Sequence, residues 1–352
     1  MLSPIIRKAR DRLSSSRIIF VICYYYIRVE EIKHHLYNKT QLFLFHFKIQ
    51  NKNTSRGEMY MRDYVICIDA SVDIDQQFIE DNKIVIIPMK YILGDSERLM
   101  ENRLTDSQLL DFYNAMRAGA MTHTSQITPY FYQQVFRREA SLGHDILYIS
   151  LSGGLSSTYS SARTAAEEIE EEFEGLKIEV VDSLAATGGM GLLLMSAVKA
   201  RKDGVSLSEN AEALRANALK ICHWFLVDDL KYLRRGGRIS AATAVAGTVL
   251  NIKPILKIAD DGTLISIAKK RGLAKASAFL AECYEAAVDK SLPGDVIIAH
   301  ADCSSEAETI RKRILASNPD ANVMVCGLGP VIGAHTGPGM AAVIHWGNRD
   351  YI

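Results

Sequence analysis

Four polar segments of this 352-residue chain carry side chains able to do chemistry. The densest is Ser150-Leu151-Ser152-Gly153-Gly154-Leu155-Ser156-Ser157-Thr158-Tyr159-Ser160-Ser161-Ala162, between an apolar run and a helical pattern. Backbone N–H groups at a helix start, joined by small hydroxyls, suit an anionic oxygen. The segment has no Gly-Lys-Ser/Thr ending and no G-x-G-x-x-G, which disfavours a nucleotide P-loop and a dinucleotide fold. Gly154-Leu155-Ser156-Ser157-Thr158 comes nearer to the nucleophile elbow of hydrolases, but β-branched Thr158 stands where the elbow needs its second glycine. The competing reading makes these serines ordinary caps and turn residues.

The other three segments, read like the first as loops, are sparser. Thr122-His123-Thr124-Ser125-Gln126 leads into Ile127-Thr128-Pro129, by itself a helix start with Thr128 as cap and Pro129 at the first position. A glycine-rich loop, Gly329 to Gly339, sets His335 and Thr336 where backbone must approach something closely. Lys231 with Arg234-Arg235-Gly236-Gly237-Arg238 is a basic turn, either solvated or a clamp for phosphate or an acidic partner. Hydroxyls, amides and cations of this kind suit a carboxylate or phosphate, and the small apolar residues 241–250 (AATAVAGTVL) offer a wall for an apolar tail. No metal-ligand spacing is evident. The six cysteines, Cys23, Cys67, Cys222, Cys283, Cys303 and Cys326, form no C-x-x-C pair and read as reduced, mostly buried thiols.

These segments hang on alternating strands and helices. Apolar runs at Tyr64 to Ile68, Ile84 to Met89, Asp145 to Leu151 and Lys177 to Val181 read as strands of a parallel sheet. Between them, helical patterns cover Thr105 to Ala118, Ser157 to Phe173 and Gly188 to Lys202. The expectation is a three-layer α/β domain over residues 61–225 with a mainly parallel sheet. Beyond Trp224 to Val227 come strands at Ile255 to Ile258, Leu264 to Ala268, Val296 to Ala301, Asn322 to Cys326 and Ala341 to His345, with helices near Gly272 to Val288 and Glu306 to Ala316. That mixture predicts a C-terminal α+β domain, 226–352.

The first sixty residues differ from the rest. They hold 11 Lys plus Arg against 4 Asp plus Glu, a charge of +7, while residues 61–352 carry 30 against 37, or −7, so the neutral total is a cancellation. Ile18 to Ile27 is too short to span a bilayer, which needs about 20 apolar residues, and no small-residue cleavage site follows it. Ile, Phe, Tyr, Asn and Lys dominate, as A/T-rich upstream DNA would encode. We therefore expect residues 1–60 to be a non-domain extension, with natural translation starting at Met59 or Met61. The remaining chain, at −7, is expected to be an acidic cytoplasmic protein that binds no nucleic acid and meets anionic membranes only transiently.

Several motifs now fall into one order. Asp69-Ala70-Ser71, Thr124-Ser125-Gln126, Leu151 to Tyr159, Val180-Val181-Asp182-Ser183, Leu233 to Ser240, Lys253-Pro254-Ile255 and Ala334-His335-Thr336-Gly337-Pro338-Gly339 resemble the DegV family of bacterial fatty-acid-binding proteins. The resemblance covers about residues 62–352. Ile127 and Ser157 depart from it, since the family often has Pro and Gly there.

The resemblance implies a two-domain protein that buries one long-chain fatty acid in an apolar tunnel between the domains, with no other cofactor. Thr124 and Ser156 would hydrogen-bond the carboxylate, with His335 and Thr336 close by and Ser125, Gly154 and Ser157 in the neighbouring loops. It also implies the role of lipid-presenting subunit of a bacterial fatty acid kinase. A separate ATP-binding subunit would convert the acid to an acyl phosphate for phospholipid metabolism, with Arg238 and Arg271 facing that partner or its phosphate. The absence of a nucleotide loop here agrees, because phosphoryl transfer needs a clamp that the partner must bring. A different class of reading stays open beside it. A serine hydrolase would use Ser156 as nucleophile, His335 as base and Asp182 or Asp228 to orient the ring.

Overall fold

The apolar run Tyr64–Asp69 is buried along its whole length, as a strand covered on both faces must be. It begins a computed structural model that describes residues 63–240 and 251–351. The expected N-terminal extension and the apolar segment 241–250 lie outside the described residues.

In chain order the first elements are β1 (Tyr64–Asp69), α1 (Gln76–Asp81), β2 (Val85–Ile87), β3 (Met89–Leu93), β4 (Ser96–Met100), α2 (Asp106–Arg117) and β5 (Thr122–Ser125). There follow α3 (Pro129–Ser141), β6 (Asp145–Ser150), α4 (Thr158–Glu172), β7 (Ile178–Asp182), α5 (Gly188–Lys202), α6 (Leu207–Ala218), β8 (Ile221–Leu226) and α7 (Lys231–Arg235). After residue 250 come β9 (Ile252–Ile258), β10 (Leu264–Arg271), α8 (Leu273–Ala287), β11 (Asp295–His300), α9 (Ser304–Ser317), β12 (Asn322–Gly327), α10 (Pro330–Thr336) and β13 (Ala341–Trp346).

The strands form three sheets, a parallel one ordered β2-β1-β6-β7, a mixed one ordered β10-β9-β8-β13-β11-β12, and an antiparallel one ordered β4-β3-β5. The fold is thus α/β, with the expected parallel sheet in the first part of the chain. In the mixed sheet only β11 and β12 run parallel; the other neighbours are antiparallel. One core joins β1, β6 and α5 to Ile297 and Ile344 of the mixed sheet. A second core, with Trp224, Tyr284, Ile298 and Val343, lies apart from it. Strand alternation divides these side chains: in β8, Phe225 joins the first core and Trp224 the second.

Three local expectations need correction. The run Ile84 to Met89 is two strands, because Pro88 cannot donate to a ladder; β2 stays in the parallel sheet and β3 leaves for the antiparallel one. Thr122 to Ser125 is a strand paired with β3, since alternating Thr-His-Thr suits a half-buried edge better than a simple loop. The glycine-rich segment contains α10, started by Pro330 in its first turn and ended by Gly337 at φ 78°. Other local signals hold. Thr105 forms a capping box with Gln108, and Thr128 accepts from the backbone of Phe131. Helix α6, opened by a capping box of Ser206 and Glu209, and the exposed strand β4 were not expected.

Candidate functional site

Strand β5 has Thr122 and Thr124 on one face, and both reach α10. The Thr122 hydroxyl donates to the Ala334 carbonyl at 3.0 Å, and Thr124 Oγ1 lies 2.7 Å from His335 Nε2. Tyr113, on α2, donates to the Leu328 carbonyl at 2.8 Å just before α10. This short helix is therefore held by side chains from two other elements, which a seven-residue helix needs because its own hydrogen bonds are few.

The loop after β6 is fixed from below. Asp69, fully buried, accepts from the backbone of Leu151 at 2.9 Å and from the Tyr148 hydroxyl at 3.0 Å, and also from Ser71. Burial raises its pKa, while these donors pull it back. Asp182 accepts from the Gly153 and Leu184 backbones, and Ser152 donates to the Gly262 carbonyl at 2.8 Å. Gly154 rests against the backbone of Asp261 and Gly262. Between these anchors Ser156 is half-buried, its Oγ 2.6 Å from Thr158 Oγ1 and accepting from the Thr158 backbone at 3.3 Å. Ser157 is exposed and makes no side-chain cap bond.

A cavity with about 770 Å³ of empty space, open mouth included, brings the segments together. Thr124, Ser125, Gln126, Ser156, Arg238, His335 and Thr336 supply polar lining, and Leu155, Phe225, Ile258, Val331, Met340 and Ile344 are among the apolar residues. Of the residues expected from sequence, Gly154 and Ser157 flank this lining without joining it. Arg271 stands exposed at the end of β10, away from the cavity lining.

His335 is neutral in this setting. Burial, then the neighbouring Arg238, His123 and Arg235 side chains, push its pKa from 6.5 down to about 4. Its Nδ1 has no hydrogen-bond partner among the described residues and faces Gly236, where a Cβ would lie 2.2 Å away. Gly236 of the basic turn thus makes room for the imidazole. Arg238 donates through Nε to the Leu155 carbonyl at 3.1 Å and to the Gly236 carbonyl, and it forms no salt bridge among the described residues. Burial lowers its pKa, yet guanidinium stays charged, so it leaves a cation at the cavity wall.

The hydrolase arrangement does not come together among these contacts. Ser156 bonds Thr158 and not His335; Asp182 serves backbone amides; Asp228 pairs with Lys253 at 2.7 Å. No hydrogen bond or ion pair joins either aspartate to His335.

Sequence reasoning missed Thr187 and His223, which also line the cavity. His223 is a lone polar residue in the apolar strand ICHWFL, and that break in pattern was the available signal. Burial pushes its pKa down to about 3, so it too is neutral. Thr187 precedes Gly188-Gly189 at φ 47°, a conformation no local pattern announces for a β-branched residue.

Comparison with known proteins gives a consistent result. A family model described as an uncharacterised protein of the DegV family matches residues 63–346. A DegV domain-containing protein of Clostridium perfringens is 35% identical over 290 residues, covering 82% of this chain and 99% of its own length. One from Streptococcus pyogenes is 38% identical over 291 residues, with the same coverage. Among solved structures, a DegV family protein of Thermus thermophilus, described by its fatty acid binding, superposes with a TM-score of 0.70 at 26% identity, covering 82% of this chain and all (100%) of that one. A Thermotoga maritima protein described as revealing fatty acid binding function gives 0.68 at 26% identity, with 82% and 100% coverage. Among the described residues no helix is long and apolar enough to cross a membrane.

Proposed function

The chain belongs to the DegV family, and we propose that it binds one long-chain fatty acid with its carboxylate at the polar mouth of the cavity and its tail in the apolar interior. The observation that carries this reading is that Thr124, Ser156, His335, Thr336 and Arg238, which has no ion-pair partner among the described residues, line one mainly apolar cavity, with Thr124 against His335 and Arg238 against the Leu155 carbonyl. An anion entering an apolar site without donors would be strongly disfavoured, and these groups supply donors and one positive charge.

The Thr124–His335 contact refines the chemistry. If Nε2 carries the imidazole proton, it donates to Thr124 Oγ1, and the threonine hydroxyl hydrogen is released toward the carboxylate. Ser156 can turn its hydroxyl hydrogen to the ligand in the same way, since its oxygen already accepts from the Thr158 backbone. Two neutral hydroxyls and a cation then hold the head group, and no side chain need change charge.

In this reading the chain is a binding and presenting subunit without its own catalytic site, its cavity forming the lipid tunnel between the two expected domains. A separate ATP-binding kinase subunit supplies nucleotide and metal and phosphorylates the presented acid, with Arg238 and Arg271 toward the partner. What supports this step is the lack of a phosphate-binding loop signature in the sequence. Native mass spectrometry of mildly purified protein tests the binding: a co-purified acid of long-chain mass is expected, and an empty protein that also takes up no added fatty acid would overturn it. Formation of acyl phosphate only when an ATP-binding partner is added tests presentation.

A further inference from the structure

Asp73, in the segment after β1, is a buried carboxylate, only 2% exposed. Its two oxygens serve different parts of the fold. Oδ2 accepts from the Thr187 hydroxyl at 2.6 Å, and Oδ1 accepts from the Gly329 backbone at 2.8 Å. Thr187 is the N-cap of α5 and lines the cavity; Gly329 is the N-cap of α10, which carries His335 and Thr336. One carboxylate thus spans two walls of the cavity.

Both attachments are tight. Thr187 sits at φ 47° and ψ −122°, where a β-branched residue stays only if its surroundings hold it. Gly329 lies so close to Asp73 that a Cβ there would be 2.8 Å from Oδ1 and 2.9 Å from Met100 Cε. From Gly329 the helix runs without interruption to the head-group residues, Gly333 donating to the Gly329 carbonyl at 2.8 Å and Gly337 to the Gly333 carbonyl at 2.9 Å. A shift at Gly329 therefore carries through to His335 and Thr336.

We propose that Asp73 is a positioning residue for the head-group site, setting the distance between the Thr187 wall and α10 so that His335 and Thr336 meet the fatty-acid carboxylate. The assignment rests on the fatty-acid reading of the cavity. No carboxylate–cation pair satisfies Asp73 among the described ion pairs, and burial raises its pKa to about 6, with its two donors and Arg103 pulling the other way. Such a costly group is retained where two donors must be met at once from one side chain.

Asp73→Asn keeps this geometry, its amide oxygen accepting from Gly329 and its NH₂ donating to Thr187 Oγ1. Asp73→Ala leaves both donors without a partner. The experiment compares the full chain, Asp73→Ala, Asp73→Asn and Thr187→Val in binding a long-chain fatty acid and its methyl ester, with thermal melts of each. The ester fills the same apolar wall but lacks the charged head. Asp73→Ala is expected to weaken acid binding by about tenfold or more while ester binding holds, and Asp73→Asn to restore most of the preference for acid. Thr187→Val, which breaks one attachment and leaves the carboxylate, should give a smaller loss in the same direction, and it carries the test if Asp73→Ala does not fold. Equal weakening of acid and ester, or unchanged acid binding in these variants, overturns the assignment. A wild-type protein that binds neither ligand overturns the fatty-acid reading first, and the role of Asp73 with it.

Discussion

Thr124 Oγ1 and His335 Nε2 are 2.7 Å apart although 211 residues separate them in the chain. The contact ties strand β5 to helix α10 and sets the direction in which each group offers its hydrogen. A head-group site built this way depends on hydroxyl donors that are already oriented before the ligand arrives.

Removing those donors should weaken the ligand selectively. Thr124→Val with Ser156→Ala deletes two hydroxyls from the cavity lining, and hydrogen bonds to a charged group contribute about 1.5–3 kcal/mol each. The double variant should lose roughly 100-fold or more in fatty acid affinity, read by displacement of a fluorescent fatty acid. Unchanged affinity would remove both residues from the head-group site.

Gly236 faces His335 Nδ1 at a distance that leaves no room for a methyl group. Its own φ of −71° is accessible to alanine, so Gly236→Ala acts through the imidazole and not through backbone strain. Overpacking of this kind costs about 1–3 kcal/mol. Urea denaturation should report that loss, and fatty acid affinity should fall with it as the ring is displaced from Thr124.

The pH dependence of His335 has a definite sign. Its folded pKa is near 4 and its ordinary value is 6.5, so between these the unfolded chain holds a proton that the folded ring does not. Its contribution to stability is complete above pH 6.5, declines as the pH falls, and is fully lost below about 4. The melting temperature of His335→Gln should therefore depend less steeply on pH over that window than that of the wild type. In the folded protein the His335 imidazole resonances should stay in their neutral positions from pH 8 to pH 5.

Asp69 gathers the Leu151 amide, the Tyr148 hydroxyl and Ser71 around one buried carboxylate. Asp69→Ala would strand the Leu151 and Ser71 amides in the core, at about 1–3 kcal/mol for each unsatisfied group, while the Tyr148 and Ser71 hydroxyls keep Tyr132 and Met190 as partners. Chemical denaturation should show a loss of at least about 2 kcal/mol, and Asp69→Asn a smaller one. A variant as stable as the wild type would mean that the loop carrying Ser156 is held by its other anchors alone.

Much of the fold was legible because its signals are local. The period of apolar residues marked β1, β6, β7 and α5, and Thr105 and Thr128 marked helix starts through side chains that satisfy nearby amides. The features misread were those decided by distant partners. Thr122 to Ser125 becomes a strand only because β3 is beside it, and residues 330–336 become a helix where Thr122, Tyr113 and Asp73 hold them.

The sequence by itself determined the alternation of strands and helices, the order of the hydroxyl, histidine and arginine motifs, and their resemblance to one family. Only the tertiary structure decided that Thr124, Ser156, Arg238, His335 and Thr336 share one cavity while Arg271 stands apart from its lining, and that His335 is neutral. The physical reason is range. Helix caps, turns and apolar periods act over a few residues, whereas burial, desolvation and the meeting of β5 with α10 arise from packing between segments that no spacing along the chain encodes.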